Sequence, residues 1–159
     1  MQATATTSTA QSGQVDALAL LKEDHDEVNQ LFAECEQGGH AAQGSEDVIE
    51  HICRELKVHA ALEEELFYPA LRAAGVQSRL LDEAQKEHAE AKRLIEAVEG
   101  ASSDGVAEPL RKLMQAVRHH VHEEEGEMFP AARECGIDLA ELGQRMAQRK
   151  QEVKQTMRA

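Results

Sequence analysis

Four segments of the chain carry apolar residues at alternating spacings of three and four, the pattern of a helix face that packs inward. Stretches rich in glycine separate these segments, so helices are predicted near 15–37, 46–73, 77–99 and 107–134, with a fifth near 138–157. Four such helices with short connections predict an all-α fold, an antiparallel four-helix bundle. The fifth helix is also amphipathic, and we expect it to pack on the bundle.

An internal repeat relates the first predicted helix pair to the second. His25 and His88 are 63 positions apart, and His59 and His120 are 61 positions apart. The segments DHDE and EHAE correspond, as do HAALEEELFYPA and HVHEEEGEMFPA. Each half therefore supplies one copy of the same helix pair. The proline late in each copy is predicted to remove a backbone hydrogen bond and to bend its helix.

Six polar side chains interrupt the apolar stripes. Each stripe holds one histidine near its middle, and two stripes hold a glutamate one turn later: His25, His59, Glu63, His88, His120 and Glu124. One histidine on an apolar face is most often a hydrogen-bonded core residue. Four at matching depth with two buried carboxylates need a compensating charge. A buried salt-bridge network is an alternative, but four histidines have only two carboxylates to share, so a metal is the simpler explanation.

The spacing of each histidine and glutamate suits a metal centre. Residues four apart on a helix differ by about 40° in direction and about 6 Å in height, so both side chains of an HxxxE motif can face one point. Four imidazoles and two carboxylates are enough for two metal ions, and a glutamate on each side can bridge them. This ligand set favours iron, and manganese less well. No cysteine accompanies the motifs, which argues against a thiolate zinc site or an iron–sulfur cluster.

The ordered set H…HxxxE…H…HxxxE on four amphipathic helices resembles the hemerythrin-like family, also called the HHE cation-binding domain, over about residues 15–135. The resemblance implies a non-heme centre of two iron ions. The histidines of the first helix pair would hold one iron, and those of the second pair would hold the other. Both glutamates would bridge the irons together with an oxo or hydroxo group. The run after Gly136 resembles the C-terminal extension of the family.

Two departures from the oxygen-carrying members of the family indicate a different reactivity. Carriers have a second histidine one turn after that of the third helix, where this chain has Lys92, and they have HxxxxD rather than HxxxE in the fourth helix. Each iron would therefore keep an open position. We expect the centre to react with dioxygen, peroxide or nitric oxide. A peroxide-consuming enzyme and an oxygen, redox or iron sensor both remain open, and a metal-free interaction bundle is a third interpretation.

Charge and composition exclude several other roles. The net charge of −13 disfavours nucleic acid and anionic membranes as partners. The N-terminal stretch lacks the features of a signal peptide, and three cysteines without a CxxC motif favour a reducing compartment, so a cytoplasmic location is expected. We expect a disordered tail over 1–14, the bundle over 15–135 and the C-terminal helix over 136–159. The expected partner is a small diatomic or peroxide molecule, and the oligomeric state is left open.

Other polar residues near the motifs are expected to lie outside the centre. His119 and His122 point away from the helix face that carries His120. Four glutamates in acidic runs are predicted to face solvent: Glu64, Glu65, Glu123 and Glu125. Whether Tyr68, His122 or Glu127 joins the centre is left open.

Overall fold

A computed structural model describes residues 16–38 and 45–158, and the predicted tail over 1–14 lies outside these ranges. The described residues form five helices and no strand. The first and third are α1 (Ala17–Gly38) and α3 (Ser78–Gly100), and the fifth is α5 (Leu139–Arg158). Helix α2 consists of Ser45–Leu62, Glu63–Phe67 and Tyr68–Ala73. Helix α4 consists of Ala107–Glu123, Glu124–Met128 and Phe129–Glu134.

The predicted all-α bundle is confirmed. Helices α1 and α2 pack against each other, as do α3 and α4, and α2 also contacts α3. Helix α5 lies against α1 and α2. It buries Leu142, Met146 and Val153, so its apolar stripe is part of the core. No helix among the described residues is both long enough and apolar enough to cross a membrane.

A middle polar layer divides the apolar core in two. One cluster includes Phe32, Ile52 and Leu113, and the other includes Leu21 and Phe67. The interrupting histidine of each stripe falls between residues of these two clusters. Apolar layers therefore lie on both sides of the polar layer.

A π-helical turn precedes each of the two prolines that are predicted to bend their helices. The turns Glu63–Phe67 and Glu124–Met128 come shortly before Pro69 and Pro130. A proline has no N–H to donate and its ring clashes with the preceding turn. One extra residue per turn relieves that clash, and such π turns are frequent at functional sites. Both turns begin at a glutamate of the sequence motif.

Helix ends follow local chemistry. The Asp16 carboxylate accepts a hydrogen bond from the N–H of Ala19 at 2.8 Å, which caps the start of α1. At the end of α2, Gly75 has a φ of 84°, a left-handed conformation that favours glycine. The N–H groups of Val76 and Gly75 donate to the carbonyls of Leu71 and Arg72, the hydrogen bonds of a Schellman motif.

We expect Gly75→Ala to lower the free energy of unfolding by about 1 kcal/mol, because an alanine is strained at positive φ. A Cβ at Gly75 would meet no atom within 4 Å, so the cost comes from the backbone alone. Gly100→Ala is the matched control, since Gly100 ends a helix without a positive φ and is equally open. Chemical denaturation measures both variants, and equal stabilities would contradict the prediction.

Candidate metal centre

The structure brings all six predicted side chains into one buried layer. They form two groups, each with its ligand atoms within 4.8 Å of one another: His25, His59 and Glu124, and Glu63, His88 and His120. The Nε2 atoms of His25 and His59 are 3.2 Å apart. Those of His88 and His120 are also 3.2 Å apart. The imidazoles therefore pair as the family resemblance implies.

Each glutamate reaches both imidazole pairs. The Glu63 Oε1 atom lies 2.8 Å from His59 Nε2 and 3.2 Å from His88 Nε2. The carboxylate of Glu124 does the same from the opposite helix, with Oε1 at 3.3 Å from His25 Nε2 and Oε2 at 3.2 Å from His120 Nε2. A carboxylate in this position can contact two cations at once, one at each imidazole pair.

A carboxylate lies behind every one of the four imidazoles. The Nδ1 atom of His25 is 3.0 Å from Glu125 Oε2, and that of His59 is 3.0 Å from Asp24 Oδ2. In the other half, the Nδ1 atom of His88 is 3.3 Å from Glu64 Oε2. The corresponding atom of His120 is 2.8 Å from Glu87 Oε1. Carboxylates at this position fix the orientation and tautomer of metal-binding histidines in proteins.

These carboxylates determine what the inner nitrogens can do. A carboxylate only accepts hydrogen bonds, so a neutral imidazole places its single N–H on Nδ1 and presents a lone pair at Nε2. Both oxygens of Glu63 and the Oε1 atom of Glu124 have no hydrogen-bond partner among the described residues, and both side chains are almost fully buried. Nitrogen and oxygen lone pairs thus face each other in a buried site. A metal cation satisfies all of them, whereas in its absence protons must.

The pKa values show how the site behaves when protons fill that role. Burial lowers the pKa of His59, but the charge of Glu63 and the hydrogen bond to Asp24 outweigh it and raise the pKa to about 10. Burial also lowers the pKa of His120, but the carboxylates of Glu124, Glu63 and Glu87 around its ring raise it to about 12. The pKa of Glu63 is held well below its ordinary value by the charge of His59, although burial opposes this.

Sequence reasoning missed part of this arrangement. Asp24 and Glu87 each precede a histidine of the motif and were not predicted to have a role. The prediction that Glu64 and Glu125 face solvent is wrong, because both carboxylates contact imidazoles. All four positions recur at the repeat spacing, with one acid before the histidine of α1 or α3 and one after the glutamate of α2 or α4. That recurrence is the signal that identifies them.

Tyr68, which the sequence left undecided, lies inside the centre. Its side chain is buried, and its hydroxyl donates a hydrogen bond of 2.6 Å to Glu124 Oε2. The hydroxyl oxygen of Tyr68 is also 3.1 Å from His88 Nε2 and 3.3 Å from His120 Nε2. The repeat places Phe129 at the equivalent position, where its ring stacks on that of His25 with centroids 5.9 Å apart. The two imidazole pairs are therefore chemically unequal.

The other residues that the sequence singled out lie outside the centre. His122 is exposed, and Glu127 is exposed with its carboxylate 3.9 Å from Arg79. His119 is also exposed, although its ring is 3.4 Å from Glu87, one of the carboxylates behind the imidazoles. Glu65 faces solvent as predicted and forms an ion pair with Arg149.

Comparison with known proteins agrees with this geometry. The crystal structure of a hemerythrin HHE cation binding domain-containing protein from Mycobacterium kansasii has a TM-score of 0.79 to this chain at 26% identity, and the match covers 89% of each chain. A DNA nickase from Nostoc sp. is 33% identical over an alignment of 119 residues, and the match covers 72% of this chain and 32% of that protein. The chain thus spans about a third of the length of this relative. The family model of the hemerythrin HHE cation binding domain matches residues 16–132. This chain therefore belongs to the hemerythrin HHE cation binding domain family.

Proposed function

We propose that the chain binds two iron ions in this centre and reacts with dioxygen, peroxide or nitric oxide, with consumption of peroxide as its activity. One observation supports this most strongly: buried carboxylate oxygens without partners face the lone pairs of four imidazoles whose outer nitrogens are already engaged. This arrangement of inward-facing lone pairs is suited to binding cations. Mixed imidazole and carboxylate ligands suit iron, and manganese less well.

The six inner residues would hold the two ions. His25 and His59 would hold one and His88 and His120 the other, with both glutamates shared between them. When bound, the ions supply redox centres that exchange electrons with a small oxidant. Within the described ranges no third imidazole approaches either pair, and Lys92 is exposed and paired with Glu64. A position for a small ligand is therefore available beside the pair of the first half. At the other pair, the hydroxyl of Tyr68 lies against both inner nitrogens.

Tyr68 is the residue best placed to handle a proton. Burial and the charges of Glu63 and Glu124 raise the pKa of its phenol well above the ordinary value, so the hydroxyl keeps its proton. It points at Glu124 and at the imidazoles of His88 and His120. A proton at this oxygen can pass to a departing hydroxide. Disproportionation of two hydrogen peroxide molecules gives two waters and one dioxygen, so no external reductant is needed.

A sensing role is the second candidate, and one contact favours it. Lys150 of α5 lies 2.5 Å from Asp24 Oδ1, and Asp24 in turn contacts the outer nitrogen of His59. A change at the centre can therefore reach the C-terminal helix through two contacts. Repeated turnover of peroxide supports the enzyme, whereas one reaction per chain followed by a change in α5 supports the sensor. The net charge of −13 repels nucleic acid, which argues against the DNA-nicking activity for which the Nostoc relative is named.

Glu63→Ala is expected to reduce bound metal from two ions to one or fewer per chain, because it removes a ligand shared by both positions. Glu65→Ala is the matched control, since this neighbour faces solvent. Metal analysis after loading with ferrous iron measures both, with circular dichroism to confirm that each variant is helical. Two tightly held ions in Glu63→Ala would contradict the assigned role.

The stability of the metal-free and metal-loaded protein should respond to pH in opposite directions. The raised pKa of His59 means that its protonated form stabilises the metal-free fold. That contribution is complete below the ordinary pKa and is lost as the pH rises from about 7 to about 10, so the melting temperature should fall. With metal bound, acidification should lower it instead, because protons displace the ion.

Differential scanning calorimetry over this pH range tests the sign of both slopes. His59→Gln should flatten the metal-free slope, whereas His51→Gln on the same helix should leave it unchanged, because His51 is half-exposed outside the centre. A metal-free protein whose melting temperature rises from neutral to alkaline pH would contradict the account.

Tyr68→Phe should retain two irons and lower the rate of hydrogen peroxide consumption by about 100-fold, the usual size of a general-acid contribution. The substitution reproduces the residue that the other half of the repeat carries at Phe129, so the packing change is small. Steady-state peroxide loss and metal content are measured on the same sample. An unchanged rate in a fully loaded variant would remove Tyr68 from the mechanism.

A further inference from the structure

A cavity of about 550 Å³ extends from the four imidazoles to the surface between α2 and α3. One water occupies about 30 Å³ of liquid, so peroxide or a diatomic gas needs only a small part of this space. Binding sites for organic molecules usually measure about 300–1,000 Å³. The cavity walls include Leu56, Ala60, Ala91, Ile95 and Val117. Its size and its apolar walls both fit an organic molecule.

The internal repeat shows why the cavity opens on this side of the bundle. Ala60, Ala91 and Ile95 face the cleft between α2 and α3. The residues at the equivalent positions in α4 and α1 are larger in every case: Val121, Val28 and Phe32. Phe32 is fully buried, and Val28 and Val121 form the far wall of the cavity. The same backbone arrangement thus carries larger side chains between α4 and α1, which we call the filled side, and smaller ones between α2 and α3.

An ion pair recurs at equivalent positions in both clefts. Lys57 pairs with Glu99 across α2 and α3 at 2.6 Å, and Arg118 pairs with Glu36 across α4 and α1. On the filled side, the guanidinium of Arg118 also lies 5.4 Å from the centre of the Phe32 ring. The ion pairs are common to both sides, so the smaller side chains account for the opening.

The charges at the mouth offer no free cation to an anionic ligand. Two lysines and four glutamates line this part of the cavity: Lys57, Lys92, Glu64, Glu65, Glu96 and Glu99. Each lysine is already paired with a glutamate at 2.6 Å. Both lysines of the mouth are thus neutralised, as Glu65 is by Arg149, and the chain as a whole carries a net charge of −13. A carboxylate or phosphate group would be repelled, whereas an uncharged molecule would not.

We propose that this cavity binds uncharged, largely apolar organic molecules with one terminal oxygen function, the chemistry of alkyl and aryl hydroperoxides. The apolar part of such a molecule lies along the alanine and aliphatic walls of the cavity. Its oxygen function lies at the inner end of the cavity, among the polar atoms of the imidazoles. The choice of hydroperoxides rests on the proposed function, whereas the binding of the apolar part rests on the cavity alone.

The test uses 2-phenylpropan-2-ol, an unreactive alcohol with the shape of an aryl hydroperoxide. Its binding to the iron-loaded chain is measured by isothermal titration calorimetry. The variant Ala60→Val, Ala91→Val, Ile95→Phe copies the filled side of the repeat and should weaken binding at least tenfold. The control Ala89→Val, Ala97→Val alters two exposed positions of α3 and should bind as the native chain does. Ala91→Phe alone replaces the triple variant if the latter does not fold.

Competition supplies a second measurement. The alcohol should inhibit hydrogen peroxide consumption by the native chain and by the control, and benzoate, an anion of similar size, should bind at least tenfold more weakly than the alcohol. No binding of the alcohol, equal binding by the filled variant, or equal binding of benzoate would overturn the proposal. Peroxide consumption without alcohol binding refutes the cavity proposal alone. Alcohol binding by a chain that never consumes peroxide refutes the proposed function and leaves the binding site standing.

Discussion

The structure depends on one interaction: two buried glutamates face four imidazole nitrogens at the middle of the bundle. Burying an ionised group costs several kcal/mol unless an opposite charge accompanies it. The apolar clusters above and below supply the folding free energy but cannot satisfy these atoms. The outer carboxylates hold the imidazoles with their lone pairs inward, which leaves the layer to be completed by cations or protons. Fold and stability are thus linked at this layer.

The two halves share a framework and differ in detail. The inner residues and the outer carboxylates repeat in both halves, so both imidazole pairs are built alike. Tyr68 stands in one half where Phe129 stands in the other, and Lys150 of α5 contacts Asp24 of the first half. The cleft between α2 and α3 is open because its residues are small. These differences give the centre a phenol hydroxyl at one pair, a contact with the C-terminal helix at the other, and a wide opening between α2 and α3.

The bundle and the six inner residues could be predicted because spacings of three and four decide which side chains a helix turns inward. The roles of Asp24, Glu64, Glu87 and Glu125 could not, since neighbouring positions on a helix point about 100° apart and only packing decides which acid reaches an imidazole. The π turns add a further shift of direction just where the acidic runs lie. Tyr68, whose place in the centre the sequence leaves open, directly follows such a turn. The open cleft depends on side-chain volumes in four helices at once.

The central claim is that this layer holds two iron ions. Metal analysis of the freshly purified chain, with absorption spectra before and after addition of peroxide, tests it most directly. The account predicts two irons per chain and near-ultraviolet charge-transfer bands that change when peroxide is added. A chain that carries no metal and takes up none from ferrous iron under anaerobic conditions would contradict it.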